Sequence, residues 1–434
     1  MNKKVLFITY YWPPSGGAGV QRTLKFVRYL PEFGIDPIVV TVHPDKASYP
    51  VLDESLLNEI PTSAKVVKTS SFEPLKYLAK IAGKEKVPYG GFTNTSGDSF
   101  AQKALRWIRG NFFIPDARVG WVMHATKAAL KIIREEKIDT VFISSPPHSS
   151  QLIGFQIRQE FPKIRWIADL RDPWTKIYYY PDLLHTKLAK RADRALERRV
   201  LKQCDHAIVV SDPIRKEYAA LGSVDAGKIS VIPNGYDEEN FQSIEQSQPK
   251  KFIISYTGTL AESYNPASLI QLLSDFVLNH GDVKLRFVGT QAPAIRKMLE
   301  EKKLIPYCEF IPYVPHQAAI QYMQESSVNL LLIPDSAGAA GILTGKLFEY
   351  LGSAKPILGV GPVTGDASRI VEECNAGKFF SRDQPDGMLL WLEEHYVRWS
   401  NGVDLRNESK VHQRYTRREL AARLADLLRS DKVE

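Results

Sequence analysis

Cysteine is scarce in this sequence. Among its 434 residues there are three cysteines, Cys204, Cys308 and Cys374, which stand far apart. An odd number of widely separated cysteines favours neither a disulfide framework nor a zinc site, because zinc ligands recur at short spacings. Chains without disulfides are typical of reducing compartments, so we expect a cytoplasmic protein.

Long apolar runs are absent as well. The apolar stretch that precedes Pro13 is too short for the core and cleavage site of a signal peptide. No later run approaches the roughly 20 apolar residues of a transmembrane helix. The sequence therefore predicts neither secretion nor a membrane span.

Several motifs of phosphate and acyl chemistry are missing. The chain has no D-x-D pair for a metal-bridged diphosphate, no Walker A sequence and no G-x-S-x-G elbow. Gly17 and Gly19 begin a dinucleotide-binding G-x-G-x-x-G, but Arg22 occupies its last position, which weakens an oxidoreductase interpretation. No His/Cys cluster has metal-ligand spacing. We therefore expect neither a metal site nor a cofactor. Backbone amides and basic side chains are expected to hold the phosphates instead.

Positive charge is in excess, because 57 lysines and arginines against 49 acidic residues give a net charge of +8. A helical pattern over residues 186–203 places basic residues on one side, and residues 104–121 combine arginines with Trp and Phe. Such segments suit an anionic membrane surface, the alternative being helix faces that are simply solvated. No recognition motif accompanies the dispersed basic residues, so nucleic acid is not an expected partner.

Apolar runs alternate with helical patterns in two successive series, as in parallel, doubly wound sheets. The first series predicts strands at residues 4–11, 35–42, 65–70, 139–145, 164–170, 206–211 and 229–235. After a polar linker at 240–251, the second predicts strands at 252–258, 283–289, 308–314, 328–334 and 355–361. We predict two Rossmann-like domains that face each other across a cleft, over residues 1–240 and 252–404. A C-terminal helix within 405–434 is expected to pack back towards the first domain.

Ligands in such folds bind beyond the carboxyl ends of the strands, and residues 338–361 are the most informative segment of that kind. A glycine-bearing loop there runs into a helical pattern on which Lys346 and Glu349 share one face. Amides at the helix start and the Lys346 charge would attract a diphosphate, while Glu349 could accept both hydroxyls of a ribose. The alternative is an ordinary helix start on which Lys346 and Glu349 form a solvated pair.

Other predicted strand ends also carry glycine or polar residues. Gly16 and Gly17 permit a close approach to a phosphate, or serve turn geometry alone. His148 could orient a sugar hydroxyl or stabilise a departing phosphate, or act as a loop or capping residue. Asp172 could accept a hydrogen bond from an acceptor hydroxyl, or cap a turn. Thr259 could touch a phosphate at the start of the second series.

Taken in order, the segments GGAGVQR, SPPHS, DLRDPW, IPNGYD, TGTL and TGKLFEYLGSAKPIL resemble the motifs of glycosyltransferase family 4. The resemblance implies a GT-B fold and a retaining transferase that moves a sugar from a nucleotide-sugar donor to an acceptor hydroxyl. It also implies that the C-terminal domain holds the nucleotide and the N-terminal domain mainly the acceptor. We expect a metal-independent hexosyltransferase of bacterial surface polysaccharide or lipid-linked glycan synthesis. Its acceptor would be a glycan or a lipid-linked acceptor, and the enzyme would be cytoplasmic or peripheral on the inner face of the membrane.

Position by position, the resemblance also implies roles for single residues. Glu349 matches the second glutamate of the family's E-x7-E motif, which contacts the ribose, and Tyr313 and Val314 match the segment whose backbone contacts the base. The predicted catalytic residues are His148, near the donor sugar, and Lys346, near the phosphates. The predicted donor-binding set is Gly16, Gly17, Thr259, Tyr313, Val314, Thr344, Gly345, Lys346 and Glu349, and the predicted acceptor-side residues are Arg22 and Asp172.

Two positions depart from the family pattern. Gly341 stands where the first glutamate of E-x7-E is expected, and the segment TGTLAESYNPASL lacks the usual Arg and Lys, so Lys346 carries more of the phosphate charge. Two other function classes stay open. One is a nucleotide-sugar epimerase of the same fold, which would convert a donor without any acceptor, and the other is a non-catalytic nucleotide-sugar-binding relative.

Overall fold

The computed structural model describes residues 2–74, 100–177, 180–222, 224–241, 249–334 and 338–430. The chain divides into two compact units, one formed by Met1–Pro233 with Arg417–Glu434 and the other by Asn234–Thr416. Part of the predicted linker, residues 242–248, lies outside the described residues. Both units are parallel-sheet α/β domains, which confirms the fold class predicted from the two series of strands.

The first unit is built on a seven-stranded parallel sheet with the order β3-β2-β1-β4-β5-β6-β7 in its described part. Its strands are β1 (Lys3–Thr9), β2 (Ile35–Val42), β3 (Lys65–Thr69), β4 (Thr140–Ser145), β5 (Arg165–Leu170), β6 (His206–Val209) and β7 (Ile229–Val231). Its helices, up to the end of β7, are α1 (Ala18–Tyr29), α2 (Phe100–Phe112), α3 (Val122–Glu136), α4 (Leu152–Glu160), α5 (Lys187–Gln203) and α6 (Asp212–Gly222). The central strands are apolar runs buried on both faces, as helix-covered parallel sheets require.

The second unit contains a six-stranded parallel sheet with the order β10-β9-β8-β11-β12-β13 in its described part. Its strands are β8 (Phe252–Thr257), β9 (Val283–Val288), β10 (Cys308–Ile311), β11 (Val328–Leu332), β12 (Ile357–Val360) and β13 (Gly377–Phe380). Its helices are α7 (Ala267–Asn279), α8 (Pro293–Glu301), α9 (His316–Glu325), α10 (Gly345–Ser353), α11 (Asp366–Glu373) and α12 (Pro385–Ser400).

The strand β13 was not predicted from the sequence. It is four residues long, and a glycine and a lysine precede its two phenylalanines, so neither its length nor its pattern marks a strand. Gly377 has a φ of 153°, and a Cβ there would lie 2.0 Å from the carbonyl oxygen of Ile357 on the neighbouring strand. Close approach of two backbones therefore requires glycine at this position.

The last helix of the chain, α13 (Arg417–Arg429), belongs to the first unit. Leu420, Leu424 and Leu428 recur at helical spacing and are fully buried in the core of that unit. The guanidinium of Arg423 also donates to the carbonyl of Val231, at a distance of 2.8 Å.

The order of each sheet reverses direction once. In the first unit this happens where β4 pairs with β1, and in the second where β11 pairs with β8. Loops that leave neighbouring strands on the two sides of such a point diverge, and the opening they form is the usual ligand position in doubly wound sheets. The carboxyl ends of these four strands are therefore where each unit is expected to bind a ligand. Within the described residues, no helix has the length and apolar character needed to cross a membrane.

Candidate functional site

The start of α10 brings a lysine to the carboxyl end of β8. The Lys346 Nζ atom donates a hydrogen bond to the hydroxyl of Tyr256 at 2.6 Å and lies 4.2 Å from the centroid of that ring. The lysine stem passes Gly258, where a Cβ would lie 3.4 Å from Cδ and Nζ of Lys346. Lys346 thus brings its charge to the loop after β8, which is the segment that lacks the family's Arg and Lys.

Two tyrosines surround this amine. The Tyr256 hydroxyl donates its single proton to the carbonyl of Thr259 at 2.9 Å, so its oxygen faces Lys346 as an acceptor. The ring centroid of Tyr264 lies 5.5 Å from the Lys346 Nζ atom. Both rings can stabilise a cation in a site with little water. Neither tyrosine was predicted, because nothing in the sequence links β8 to a lysine 90 positions later.

Burial lowers the pKa of Lys346 to about 8, and the nearby Glu349 carboxylate opposes the shift. A group in this state gains more from an approaching phosphate than an exposed lysine does, because the anion replaces the missing water. The alternative of a solvated Lys346–Glu349 pair is wrong, since each side chain contacts a different partner.

The partner of Glu349 is a histidine that the sequence interpretation missed. The Oε1 atom of Glu349 lies 2.8 Å from Nε2 of His316, the first residue of α9. His316 follows closely on the end of β10, so the same strand-end argument that selected His148 could have found it. Tyr313 and Val314 lie in the segment just before it, and the Tyr313 side chain is 83% exposed. The structure therefore gathers Glu349 and the predicted base-contacting segment around the amino ends of α9 and α10.

The first turn of α10 is open to close approach. Thr344 is its N-cap residue, and no atom lies within 4 Å of a Cβ built on Gly345. The Oγ1 atom of Thr344 is buried and has no hydrogen-bond partner among the described residues. Gly341 lies in a short 3-10 turn before α10 and supplies no carboxylate. In the part of the chain that the structure describes, no group of three or more His, Cys, Asp or Glu side chains could hold a metal ion.

The glycine loop of the first unit precedes α1. Gly17 caps this helix with a φ of 91°, a left-handed conformation that favours glycine, and no atom lies within 4 Å of a Cβ built there. A Cβ on Gly16 would instead meet Val51 and Asp53 at 3.1 and 3.2 Å. Gly16 is thus held by its neighbours, while Gly17 leaves space beside the helix start.

His148 lies at the carboxyl end of β4 in a buried position. Its ring stacks on that of Trp174, with centroids 4.7 Å apart and planes inclined by 7°. Burial lowers the pKa of His148 to about 4, against the opposing charge of Asp116. Asp116 also accepts hydrogen bonds from the Ser149 amide and hydroxyl, each at 2.8 Å, and so holds the turn in place. His148 is therefore a neutral donor or acceptor at physiological pH.

This shift gives a prediction for the pH dependence of stability. The pKa of His148 is lower in the native state than in the unfolded chain, so its contribution to stability is complete above pH ~6.5 and is lost as the pH falls towards 4. Replacing His148 by glutamine should remove this part of the pH dependence in urea unfolding curves. Direct NMR titration of the ring should have its midpoint near pH 4, and a midpoint near 6.5 would contradict the prediction.

The two predicted acceptor-side residues occupy different surroundings. Arg22 is buried, and its guanidinium donates to the Asp169 carboxylate at 2.9 Å and to the Pro233 carbonyl at 2.9 Å. We therefore expect Arg22 to position the strand end and not to touch an acceptor. Asp172 follows β5, and burial raises the pKa of its carboxyl against the opposing charge of Arg171. Arg171 itself donates to the backbone carbonyls of neighbouring loops.

Two further carboxyl groups support the loop that carries Asp172 and Trp174. Asp193 of α5 accepts from the Trp174 indole at 2.7 Å, and Glu197 accepts from the Thr175 hydroxyl at 2.6 Å. Burial raises the pKa of Asp193 to about 6 and that of Glu197 to about 7. Sequence reasoning could not separate these two acids from the charged residues around them, because their partners belong to another segment.

This fold, with ligand-type residues at the strand ends of both units, is that of GT-B glycosyltransferases. A model of Glycosyltransferase Family 4 matches residues 16–240, which is more than half of the chain. The chain therefore belongs to glycosyltransferase family 4, as the ordered motifs predicted. A Bacillus subtilis (strain 168) protein named as a teichuronic acid biosynthesis glycosyltransferase, TuaH, is 19% identical over 196 residues. That match covers 44% of this chain and 49% of the relative, so the chain spans about half the length of the curated relative it matches.

Solved structures share the fold at low sequence identity. Anabaena Alr3699/HepE in complex with UDP aligns with a TM-score of 0.62 and 13% identity, over 98% of this chain and 99% of that one. Sucrose-phosphate synthase from Thermosynechococcus elongatus aligns with a TM-score of 0.60 and 13% identity, over 99% and 98%. A Listeria monocytogenes protein described as a UDP-N-acetylglucosamine 2-epimerase aligns with a TM-score of 0.55 and 13% identity, over 100% and 99%. At such identities these similarities establish the fold.

Proposed function

We propose that the chain is a retaining glycosyltransferase that moves a sugar from a nucleotide-sugar donor to an acceptor hydroxyl. The observation that carries the proposal is the Lys346 amine, placed between the start of α10 and the loop after β8 with a lowered pKa. Gly345 and Thr344 offer backbone amides to the same diphosphate, and Glu349 is one turn away for the ribose. UDP-sugars are the first donors to test, because Alr3699/HepE has been solved with UDP and with UDP-glucose.

The proposed reaction breaks the bond between the anomeric carbon of the donor and its phosphate oxygen, and forms a bond from that carbon to the acceptor oxygen. The acceptor proton passes to the departing phosphate oxygen on the same face of the sugar, which gives retention. Lys346 and the α10 amides offset the charge that grows on the diphosphate. In the first unit, neutral His148 can donate or accept a hydrogen bond, and Gly17 leaves space beside the start of α1. No metal and no cofactor take part in these steps.

A panel of nucleotide-sugars, incubated with and without lipid-linked glycan acceptors, tests this function. Nucleotide release that requires an acceptor supports transfer, and NMR of the product then shows whether the anomeric configuration is retained. The second candidate function is nucleotide-sugar epimerisation, which is favoured by the similarity of the fold to the Listeria protein. An isomerised donor formed without acceptor would support the epimerase, and binding without turnover would indicate a non-catalytic relative.

The role of Glu349 gives a prediction about nucleotide selectivity. A carboxylate that accepts two ribose hydroxyls should make UDP bind roughly 10- to 100-fold better than its 2′,3′-dideoxy analogue, since bonds to charged groups contribute ~1.5–3 kcal/mol. Glu349→Gln should reduce this preference to a few-fold. Calorimetric titration of both nucleotides measures it, with Glu300→Gln on the exposed face of α8 as the matched control. An unchanged preference in Glu349→Gln would place the ribose elsewhere.

The Tyr256 hydroxyl gives a second prediction at this site. Tyr256→Phe keeps the ring over Lys346 but removes the oxygen that accepts from Nζ, so the amine is less firmly placed. We expect donor KM to rise roughly tenfold with a smaller change in kcat, as for the loss of one charge-assisted hydrogen bond. Steady-state kinetics over a donor series give both constants. If Tyr256→Phe has the same KM and kcat as the wild-type protein, then the Tyr256 hydroxyl does not position Lys346.

We also propose that the first unit binds peripherally to anionic membranes that carry the acceptor. Trp107 and Phe112 of α2 are 44% and 70% exposed, and Leu188 at the start of α5 is 78% exposed. The side of α5 predicted to be basic is exposed, with Lys187, Arg191, Arg194, Arg198 and Lys202 all facing solvent. Apolar side chains beside exposed cations suit a lipid interface. Leu188→Ser should weaken sedimentation with anionic vesicles, whereas Leu390→Ser, at a similarly exposed position in the second unit (72%), should not.

A further inference from the structure

The second unit has a cavity at the edge of its sheet opposite to Lys346. Its walls come from residues just before β11 and β12 and from the segment after α12, and its volume is about 230 Å³. All strands of this sheet run in parallel, so these amino ends lie a full strand length away from the carboxyl ends that carry the donor residues. The cavity therefore does not share residues with the proposed donor site.

A lysine supplies the main charge of this cavity. Lys355, two residues before β12, is 7% exposed and lines the cavity with Ser326 and Ser327. Among the described residues, none forms a hydrogen bond or an ion pair with the Lys355 Nζ atom. Burial lowers the pKa of this amine. An ammonium group that is nearly enclosed and has no partner is costly, and an anion in the cavity would offset that cost.

Asp404, the acid whose charge acts on this amine, is already engaged. Asp404 accepts from the Arg406 guanidinium at 2.6 Å, so the two charges largely cancel and the positive charge of Lys355 remains. The electrostatic effects of Asp404 and Arg406 on Lys355 accordingly oppose each other. The charged residues that line the cavity thus leave an excess of one positive charge, which lies on the buried side chain of Lys355.

Hydrogen-bond donors accompany the charge. The Ser327 hydroxyl accepts from the Ile253 amide at 3.1 Å, and none of the described residues accepts its proton. An oxyanion could accept from three donors here, namely the Ser327 hydroxyl, the Lys355 ammonium and the guanidinium N–H groups of Arg406 that Asp404 does not use. Apolar atoms of Trp399 and Val403 complete the wall and limit the room to a small ligand.

We propose that this cavity is a binding site for a small phosphate-type oxyanion, held by Lys355 with Ser327 and Arg406. The volume suits inorganic phosphate or the phosphate end of a small metabolite. The site is distinct from the donor site, so it stands whether or not the chain is a glycosyltransferase. Its occupant stabilises the junction between the start of the sheet and the segment after α12.

The experiment uses the full chain with Lys346→Met, so that phosphate binding at the proposed donor site does not contribute. Its melting temperature is followed as sodium phosphate replaces sodium chloride at constant ionic strength. We expect a phosphate-dependent rise that disappears on adding Lys355→Met and persists on adding Lys297→Met, which removes an exposed lysine of α8. In chloride alone, Lys355→Met should melt at or above its parent, because an uncompensated buried charge is gone.

Calorimetric titration with phosphate and with glycerol phosphate supplies the second measurement. Ser327→Ala should weaken phosphate about tenfold, which keeps the proposal testable if Lys355→Met folds poorly. If glycerol phosphate binds more tightly than inorganic phosphate, the occupant is a phosphorylated metabolite. If it binds equally or more weakly, the occupant is the free phosphate ion. A parent protein that gains no stability from phosphate would overturn the proposal, and so would an unchanged gain in Lys355→Met.

Discussion

Lys346→Met is expected to lower kcat/KM for the nucleotide-sugar donor by roughly 10²- to 10³-fold, the effect of losing a preorganised donor to a developing oxyanion. The loss should be near the upper end of this range, because the loop after β8 contains no Arg or Lys that could replace the Lys346 amine. Methionine keeps the apolar stem that packs beside Gly258, so the variant should fold normally. Lys297→Met removes an exposed lysine and is the control for net charge. Near wild-type turnover of Lys346→Met would remove this residue from the site.

The same residue should set the basic limb of the pH profile. The pKa of Lys346 is about 8, so kcat/KM should fall as the pH rises above that value and the amine loses its charge. Bound diphosphate favours the charged form, so the limb for kcat should lie at higher pH than the limb for kcat/KM. Lys346→Arg should move both limbs beyond the measurable range, because a guanidinium does not deprotonate there. A limb near 8 that persists in Lys346→Arg would belong to another group.

Arg22→Met is expected to destabilise the first unit by about 3–5 kcal/mol, the cost of leaving one member of a buried ion pair alone. Arg22 is 1% exposed and Asp169 is fully buried, and their nitrogen and oxygen atoms lie 2.9 Å apart. Without the guanidinium, the hydroxyl of Ser144 is the one side-chain donor that the described residues leave to the Asp169 carboxylate. Urea unfolding followed by tryptophan fluorescence measures the loss, since Trp121 and Trp166 lie in the core of that unit.

A second substitution distinguishes the ion pair from simple packing. Arg22→Met combined with Asp169→Leu removes both charges and should recover much of the lost stability. If the double variant is less stable than Arg22→Met alone, then the unpaired Asp169 carboxylate is not the cause of the lost stability. Donor binding by the second unit should be unchanged in both variants, because Arg22 is expected to position the first unit only.

The architecture could be predicted from the sequence because the pattern that marks a buried strand lies within the strand itself. Buried parallel strands are continuous apolar runs, and those of β2 and β8 were predicted within one residue of their observed ends. Lys346 and Glu349 could be placed on one helix for the same reason, since helical spacing depends on adjacent turns. The strand β13 was missed because its four residues are fixed by contact with β12 and not by their own pattern.

The partners of the site residues could not be predicted, because they come from distant segments. Tyr256 meets Lys346 across 90 positions, and His316 meets Glu349 across 33. Without these contacts the sequence suggested a solvated Lys346–Glu349 pair as an equal alternative. Arg22 was predicted on the acceptor side from the glycine motif, and the sequence could not reveal that its guanidinium donates to Asp169 and to the Pro233 carbonyl within the fold.

The central claim is that the second unit holds the donor nucleotide at the start of α10. Hydrogen–deuterium exchange of the full chain with and without UDP tests it most directly. The account predicts protection of peptides that cover Thr257–Leu260, Tyr313–His316 and Thr344–Glu349, and loss of the protection in Lys346→Met. Protection by UDP that is confined to the first unit, or that is unchanged in Lys346→Met, would contradict it.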